Sequence, residues 1–391
     1  MPAKPPSSKT QLLPVAKPWL GEEEAAAARR AILSGWVTQG PEVAAFEREF
    51  AAFVGAPYAC AVSNGTSALQ LALLAAGAAP GGEVVTVSHS FIATANAIRA
   101  CGSTPVFVDI QPGTYNIDPE RVEAAVGPKT RAILCVHQLG MPCDLKTLAG
   151  LARRLGVFLI EDAACAVGSE VEIEGDWKRI GAPHGDAACF SFHPRKLLTT
   201  GDGGMITTRR AEWDAKFRLQ RHHGMAVSDT VRHSSRMVVE ESYPEPGFNF
   251  RLTDIQAATG RVQLGRLPAM LDRRRTLASR YRELLADIPG LLMPEEPSWA
   301  RSNWQSFCVR LASGARQAGV MQALLDDGIS TRRGVMCAHR EAAYPPEAWR
   351  AAGGLENSEE AQDSGLILPL FHQMTDADQD RVAIALRRAC V

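Results

Sequence analysis

The sequence predicts an α/β fold: a large domain around a mostly parallel sheet with helices on both faces, then a smaller C-terminal α+β domain. Three observations carry this. From about residue 20 to 210, short apolar runs alternate with helical patterns, and such alternation builds a mostly parallel sheet. From about residue 253 the alternation gives way to one long helical stretch ending at Gly290. Beyond it lie a strand and two further helices, which a chain of 391 residues can arrange as a second unit.

The elements follow in order. GEEEAAAARRAILSG is a helix whose early glutamates complement the positive end of the helix dipole and which stops at Gly35. PEVAAFEREFAAFVGA repeats the pattern and stops at Gly55. The strand ACAVS precedes the helix TSALQLALLAAG, and EVVTVS precedes FIATANAIRACG. PVFVDI leads to a helix beginning at Asp118, and AILCVH to a helix over 144–156 capped by Asp144. The strands VFLIE, ACFSF and MITT follow. The stretch TDIQAATGRVQLGRLPAMLDRRRTLASRYRELLADI is helical, with an interruption near Pro268. SFCVRL is a strand, residues 315–327 a helix, and 376–389 the last amphipathic helix. The boundaries drawn are a Pro- and Ser-rich mobile tail over 1–13, the large domain over 14–260 and the small one over 261–391.

Composition narrows the function. A net charge of −1 removes any overall electrostatic case for nucleic acid or an anionic membrane as partner. No run of about 18 apolar residues is present, so no membrane span is expected. The nine cysteines are odd in number, form no C-x-x-C pair and sit mostly in apolar strands. Reduced buried thiols in a cytoplasmic protein fit this better than disulfides or a zinc site.

Sites in parallel sheets sit at the carboxyl ends of the strands. In SNGTSALQLAL a strand runs into a turn that opens a helix at Thr66 and Ser67. Its free N–H groups and dipole favour a phosphate, although an N-cap without any ligand explains the same residues. In VFLIEDAACAVGS an apolar strand ends in Glu161 and Asp162. A carboxylate there needs a positive partner, whether in a structural ion pair or on a ligand. In ACFSFHPRKLLTTGDGG the strand bearing Ser191 leads to Lys196 and a glycine turn. Lysine is scarce, eight against 34 arginines, and Lys196 is the one between a buried strand and that turn.

Taken in order, GTSA, EDAA, SFHPRK, GDGG and GFNFRLTDIQAA resemble the DegT/DnrJ/EryC1/StrS family, the sugar aminotransferases of fold type I pyridoxal-phosphate enzymes. The likeness runs from LPVAKPWLGEEE to the LPLF near the C-terminus. It implies that the cofactor is pyridoxal 5′-phosphate and that the large domain binds it. Lys196 matches the lysine that holds it as a Schiff base, and Asp162 the aspartate that bonds its ring nitrogen. Thr66, Ser67 and Ser191 match the phosphate cup, and Phe91 the aromatic that stacks on the ring. Asn249 matches an asparagine reaching the phosphate from the neighbouring subunit, which implies a homodimer with shared active sites. Cys165 stands where the family has His or Gln near the cofactor's phenolic oxygen, and thiols are poorer hydrogen-bonding groups. Leu139 stands where an aromatic is common.

The chemistry explains the residue types. The cofactor acts as an electron sink, and an ionised Asp162 keeps its ring nitrogen protonated. The freed amine of Lys196 serves as general base for the proton shift. The expected reaction is ping-pong transfer of an amino group from an amino acid, glutamate in this reading, to a nucleotide-linked 3- or 4-keto-deoxysugar. Lys196 argues against the family's dehydratases, which carry histidine there. A keto-cyclitol acceptor is the alternative within the same chemistry, and a cofactor-binding regulatory protein with little turnover is the alternative outside it. Trp36, Thr38 and Gln39 fall in a segment that the resemblance places near the substrate; His193 shares the strand end with Lys196, and Arg332, Arg333 and His339 could meet a substrate carboxylate or phosphate, although an isolated His or Arg is more often structural. The long polar loop 225–246 is expected to cross to a partner subunit or cover the site.

Overall fold

A computed structural model describes residues 12–227 and 237–390. The helices are α1 (Glu22–Leu33), α2 (Pro41–Val54), α3 (Gly65–Ala75), α4 (Ala93–Ala100), α5 (Pro119–Ala125), α6 (Leu145–Leu155), α7 (Ala211–Gln220), α8 (Asp254–Leu285), α9 (Gln317–Asp326), α10 (Glu356–Ser364) and α11 (Asp376–Ala389). The strands are β1 (Tyr58–Val62), β2 (Glu83–Val87), β3 (Thr104–Val108), β4 (Thr130–Val136), β5 (Phe158–Asp162), β6 (Glu170–Ile173), β7 (Asp176–Arg179), β8 (Ala187–Ser191), β9 (Gly204–Thr208), β10 (Ala300–Arg301), β11 (Phe307–Arg310), β12 (Arg332–Arg333), β13 (Arg350–Ala351) and β14 (Gly365–Leu368).

Eight strands form the main sheet in the order β1-β9-β8-β5-β4-β2-β3-β13. Only β9 runs against the rest, antiparallel to both β1 and β8. The remaining pairings are parallel. The carboxyl ends of β1, β2, β4, β5 and β8 therefore share one edge. Local signals set the helices that frame it. Asp144 accepts the N–H of Thr147 at 3.0 Å and starts α6, and Gly156, left-handed at φ +67°, ends it. Gly55 ends α2 in the same way at φ +81°.

A smaller antiparallel sheet, β11-β14-β12, packs with α9, α11 and the second half of α8 around Tyr281, Phe307, Leu366 and Leu386. The first half of α8 lies on α1 and α2, and a Cβ at Gly260 would come within 2.8 Å of the Phe46 ring. Only a glycine permits that approach.

Several expectations change. Helix α8 runs unbroken through Pro268. A mid-helix proline costs about 3 kcal/mol, and burial of Leu264, Leu267, Met270 and Leu271 around it outweighs that. Of the expected mobile tail, residues 1–11 lie outside the described residues. Leu13, by contrast, is buried and bonded to Gly328 and Ser330 at 2.9 Å, so its apolar side chain belongs to the small core. Strand β13, from the C-terminal region, extends the main sheet beside β3, so the chain returns to the large layer after residue 260. The hairpin β6–β7 had no counterpart in the sequence reading. No helix among the described residues is long and apolar enough to cross a membrane, and the nine cysteines are free thiols.

A buried ion cluster ties α2, β1 and α7 together. Glu47 accepts the Ala61 N–H at 2.9 Å and pairs with Arg218 at 2.7 Å and with Arg221. Burial opposes its charge, but Arg221 and Arg218 prevail and hold the carboxyl below its ordinary 4.5. A lowered carboxyl pKa gives stability that is full above the unfolded value and lost as pH falls through the folded one. Glu47→Gln leaves Arg221 buried without its counter-charge, so we expect a loss of about 3 kcal/mol. Urea unfolding at pH 7 measures it, and the gap from the wild type should narrow as the pH approaches the acid limb.

Candidate active site

A cavity of about 670 Å³ opens at the carboxyl edge of the main sheet, with the small sheet forming its far wall. Thr66, Ser67, Phe91, Asp162, Cys165, Ser191 and Lys196 all line it. Seven of the eight residues singled out from the sequence thus meet in one place.

The turn after β1 begins the site. Asn64 caps α3 by accepting the Ser67 N–H at 2.9 Å, and the Ser67 hydroxyl lies 3.1 Å from that of Ser63. The first-turn N–H groups of Gly65 and Thr66 are left without an intrahelical partner. A Cβ on Gly65 would come within 2.8 Å of Ser191 Cβ, so glycine lets the helix start sit directly on the end of β8. The Ser191 hydroxyl has no hydrogen bond to another described residue. Free N–H donors, a free hydroxyl and a helix N-terminus together suit a phosphate.

Asp162 ends β5, buried at 5% exposure. Its Oδ1 accepts the Ala164 N–H at 3.1 Å and its Oδ2 accepts the Thr94 hydroxyl at 2.8 Å. That hydroxyl has one proton, so the 2.8 Å contact between Ser90 and Thr94 has Ser90 as donor. Burial pushes the Asp162 carboxyl above its ordinary value; Thr94, the Ala164 N–H and Lys196 work against the shift without cancelling it. No cation among the described residues pairs with it directly. Beside it His137 is fully buried. Its Nδ1 accepts the Cys143 N–H at 3.0 Å, so Nε2 carries the proton and donates to Glu161 at 3.0 Å. Of the two carboxylates ending β5, Glu161 is thus tied into structure and Asp162 faces the cavity.

Lys196 follows β8 after a turn closed by its own N–H to His193 O at 2.8 Å. Gln305 clamps that turn, accepting the Leu197 N–H at 2.8 Å and donating to Arg195 O at 2.6 Å. The ammonium Nζ donates to Cys165 Sγ at 3.0 Å and has no carboxylate partner among the described residues. Cys165 therefore touches the lysine directly. Leu139 lines the cavity in a left-handed conformation at φ +58°.

Phe91 lines the cavity at 61% exposure, and no ring among the described residues stacks on it. Asn249 is exposed, bridged to His222, and does not reach the cavity of its own chain. Of the further residues, His193, Arg332 and Arg333 line the cavity, whereas Trp36, Thr38, Gln39 and His339 do not. His339 is a tether, 2.7 Å from Ser88 and 3.0 Å from Glu359. Of the loop 225–246, residues 228–236 lie outside the described residues. The sequence reading missed Thr94 and Gln305, because a contact across 68 or 108 residues leaves no local pattern.

A helix start suited to phosphate, a buried carboxylate lacking a cation and a lysine lacking an anion define a site for a group-transfer cofactor in an α/β enzyme. The chain belongs to the DegT/DnrJ/EryC1/StrS aminotransferase family, whose profile matches residues 18–387. That family is pyridoxal-phosphate-dependent. The chain is 38% identical over 383 residues to the spore coat polysaccharide biosynthesis protein SpsC of Bacillus subtilis (strain 168), covering 97% of each. Among solved structures it resembles the aminotransferase TlmJ from Streptoalloteichus hindustanus, with 36% identity, a TM-score of 0.87 and coverage of 96% of this chain and 98% of that one. It also resembles DesI, solved with its TDP-sugar product, with 32% identity, a TM-score of 0.86 and coverage of 99% and 95%.

Proposed function

We propose that the protein is a pyridoxal 5′-phosphate-dependent transaminase that moves the amino group of L-glutamate to a keto sugar carried on a nucleotide diphosphate. The observation that carries this is that Lys196 and Asp162 line one cavity, neither in a direct ion pair with any described residue. The donor set fits the cofactor: a carboxylate needing a cation, an N-terminal turn and hydroxyl needing a phosphate, and an amine able to bond a carbonyl. The TDP-sugar product bound to DesI and the polysaccharide role in the name of SpsC support a sugar acceptor.

When bound, the cofactor supplies an electron sink that stabilises a carbanion next to the transferred nitrogen. The chain does the rest. Asp162, ionised and fixed by Thr94 and the Ala164 N–H, holds the proton on the ring nitrogen. The N–H groups of Gly65 and Thr66 with the hydroxyls of Thr66, Ser67 and Ser191 bind the phosphate. Phe91, which lines the cavity, would cover one face of a bound ring and shield it from water. Lys196 Nζ anchors the cofactor, and its neutral amine then takes up and returns the proton. Gln305 keeps the Lys196 turn in place through both transfers. Asn249 serves the phosphate of a second copy's site, so the working unit is a homodimer.

Cys165 takes the place of a stronger hydrogen-bonding residue. Cys165→Ala should shift the pH midpoint of the bound cofactor's visible band while lowering kcat by less than about tenfold, the size of one weak hydrogen bond. An absorbance titration beside steady-state rates checks both.

Incubating the protein with glutamate and a panel of nucleotide-linked keto sugars tests the acceptor. Mass spectrometry should find one of them converted to its amino sugar, with an equal amount of 2-oxoglutarate. A protein that reacts with glutamate yet aminates none of the panel contradicts the nucleotide-sugar assignment and points to a keto-cyclitol or similar small ketone.

A further inference from the structure

We propose that Arg332 is the anion clamp of this cavity, meeting the carboxylate of the amino donor in one half-reaction and a phosphate of the acceptor in the other. The inference rests on the two-stage reaction above and names how one cavity accommodates two substrates. In a ping-pong reaction donor and acceptor occupy the same space in turn. An amino acid and a nucleotide diphosphate share little beyond oxyanions, so the common recognition element is a cation that either can reach. A flexible, always-charged guanidinium meets both, since its planar fork matches carboxylate and phosphate alike.

The arginines of the cavity are not equivalent. Arg333 is paired with Glu341 at 3.4 Å. Arg332 is exposed, lines the cavity, and its side chain has no hydrogen bond or ion pair to any described residue. It comes from the small sheet, on the strand paired with β14.

Its backbone is firmly held. Arg332 is in register with Ile367 on β14. Gly334 donates to Gly365 O at 2.6 Å, and a Cβ at Gly334 would lie 3.0 Å from both Ala361 O and Gly365 Cα, so the strand exit is close-packed. Two residues on, Met336 O accepts the Ser90 N–H at 3.1 Å, and Cys337 bridges to His89. The segment is thus moored to the end of β2, next to the Ser90–Thr94–Asp162 chain. A free guanidinium on a pinned backbone at the cavity wall is a preorganised anion site. Val15, Met336, Leu368 and Leu370 line the same cavity, and neither of its carboxylates, Asp162 and Asp202, is ion-paired with Arg332.

Arg332→Met and Arg332→Lys test this in the cofactor-loaded protein, with Arg340→Met, whose arginine pairs with Asp363 outside the cavity, as control. In Arg332→Met the glutamate concentration giving half-maximal bleaching should rise by about tenfold or more, the loss of one charged hydrogen bond. The limiting rate should stay within about threefold, as for uniform binding. Inorganic pyrophosphate, titrated calorimetrically, should bind the wild type and bind Arg332→Met at least about tenfold more weakly. Arg332→Lys, which keeps the charge but not the fork, should recover part of both, and Arg340→Met should match the wild type. A wild type that binds no pyrophosphate overturns the inference. So does Arg332→Met with the wild-type glutamate dependence or the wild-type pyrophosphate affinity. A wild type whose spectrum ignores glutamate but which binds pyrophosphate through Arg332 contradicts the transaminase reading instead, so the two failures are distinct.

Discussion

Lys196→Ala should lower the transamination rate by about 10³-fold or more, the contribution of a general base. Lys196 has two tasks in the proposed reaction, anchoring the cofactor and moving the proton, and alanine can do neither. The substitution should leave the fold intact. Lys196 is only partly buried, its side chain bonds only to Cys165 among the described residues, and the turn around it is held by backbone groups and Gln305. Unchanged thermal unfolding beside the lost rate separates the chemical role from a structural one. A small primary amine added to the solution should restore part of the rate by substituting for the missing Nζ. Retention of more than about a tenth of the wild-type rate would remove Lys196 from its role, since a general base is worth at least about 10²-fold.

The second large effect is expected at Asp162. Asp162→Asn is nearly isosteric, so the change isolates charge. The buried carboxylate faces the cavity with burial pushing its pKa up and no cation paired with it. A protonated ring nitrogen supplies that cation, and an amide cannot hold it. Breaking a buried charge pair costs about 3–5 kcal/mol, so kcat should fall by about 10²- to 10⁴-fold. The sign of the pH dependence follows. A cation favours the ionised carboxylate, so cofactor affinity is full where Asp162 is ionised and falls as acid protonates it. Asp162→Asn should bind cofactor more weakly at neutral pH and lose that acid-side dependence. Equilibrium dialysis across the acid range measures both, and a variant with the wild-type profile would mean that Asp162 does not hold the ring.

What could be seen in the sequence and what could not divides on physical lines. Elements specified locally were readable: the cap at Asp144, the left-handed stop at Gly55 and the apolar runs of β2, β4 and β5 each result from neighbours in the chain. The reactive strand ends were readable too, because a lone lysine between strand and glycine turn, or a carboxylate pair after an apolar run, contradicts its local setting. Pro268 misled because tertiary burial overrode a local rule. The β6–β7 hairpin escaped because each strand is only four residues long and DWKR has no apolar alternation, and its turn rests on Glu174 and Gly175 at φ +56° and +86°. Thr94 and Gln305 escaped because their partners are distant in sequence. That an arginine of STRRG could meet a substrate carboxylate or phosphate is legible in the sequence, but the freedom of Arg332 from Glu341, which takes Arg333 instead, is a three-dimensional fact.

The central claim is that Lys196 carries a cofactor that accepts the amino group of glutamate. Its most direct test is the absorbance spectrum of the purified, cofactor-loaded protein before and after glutamate, beside Lys196→Ala. The expected result is a visible band in the wild type that glutamate bleaches, and no such lysine-dependent band in the variant. A wild type that stays colourless with added cofactor, or a band that glutamate leaves unchanged, would contradict the account.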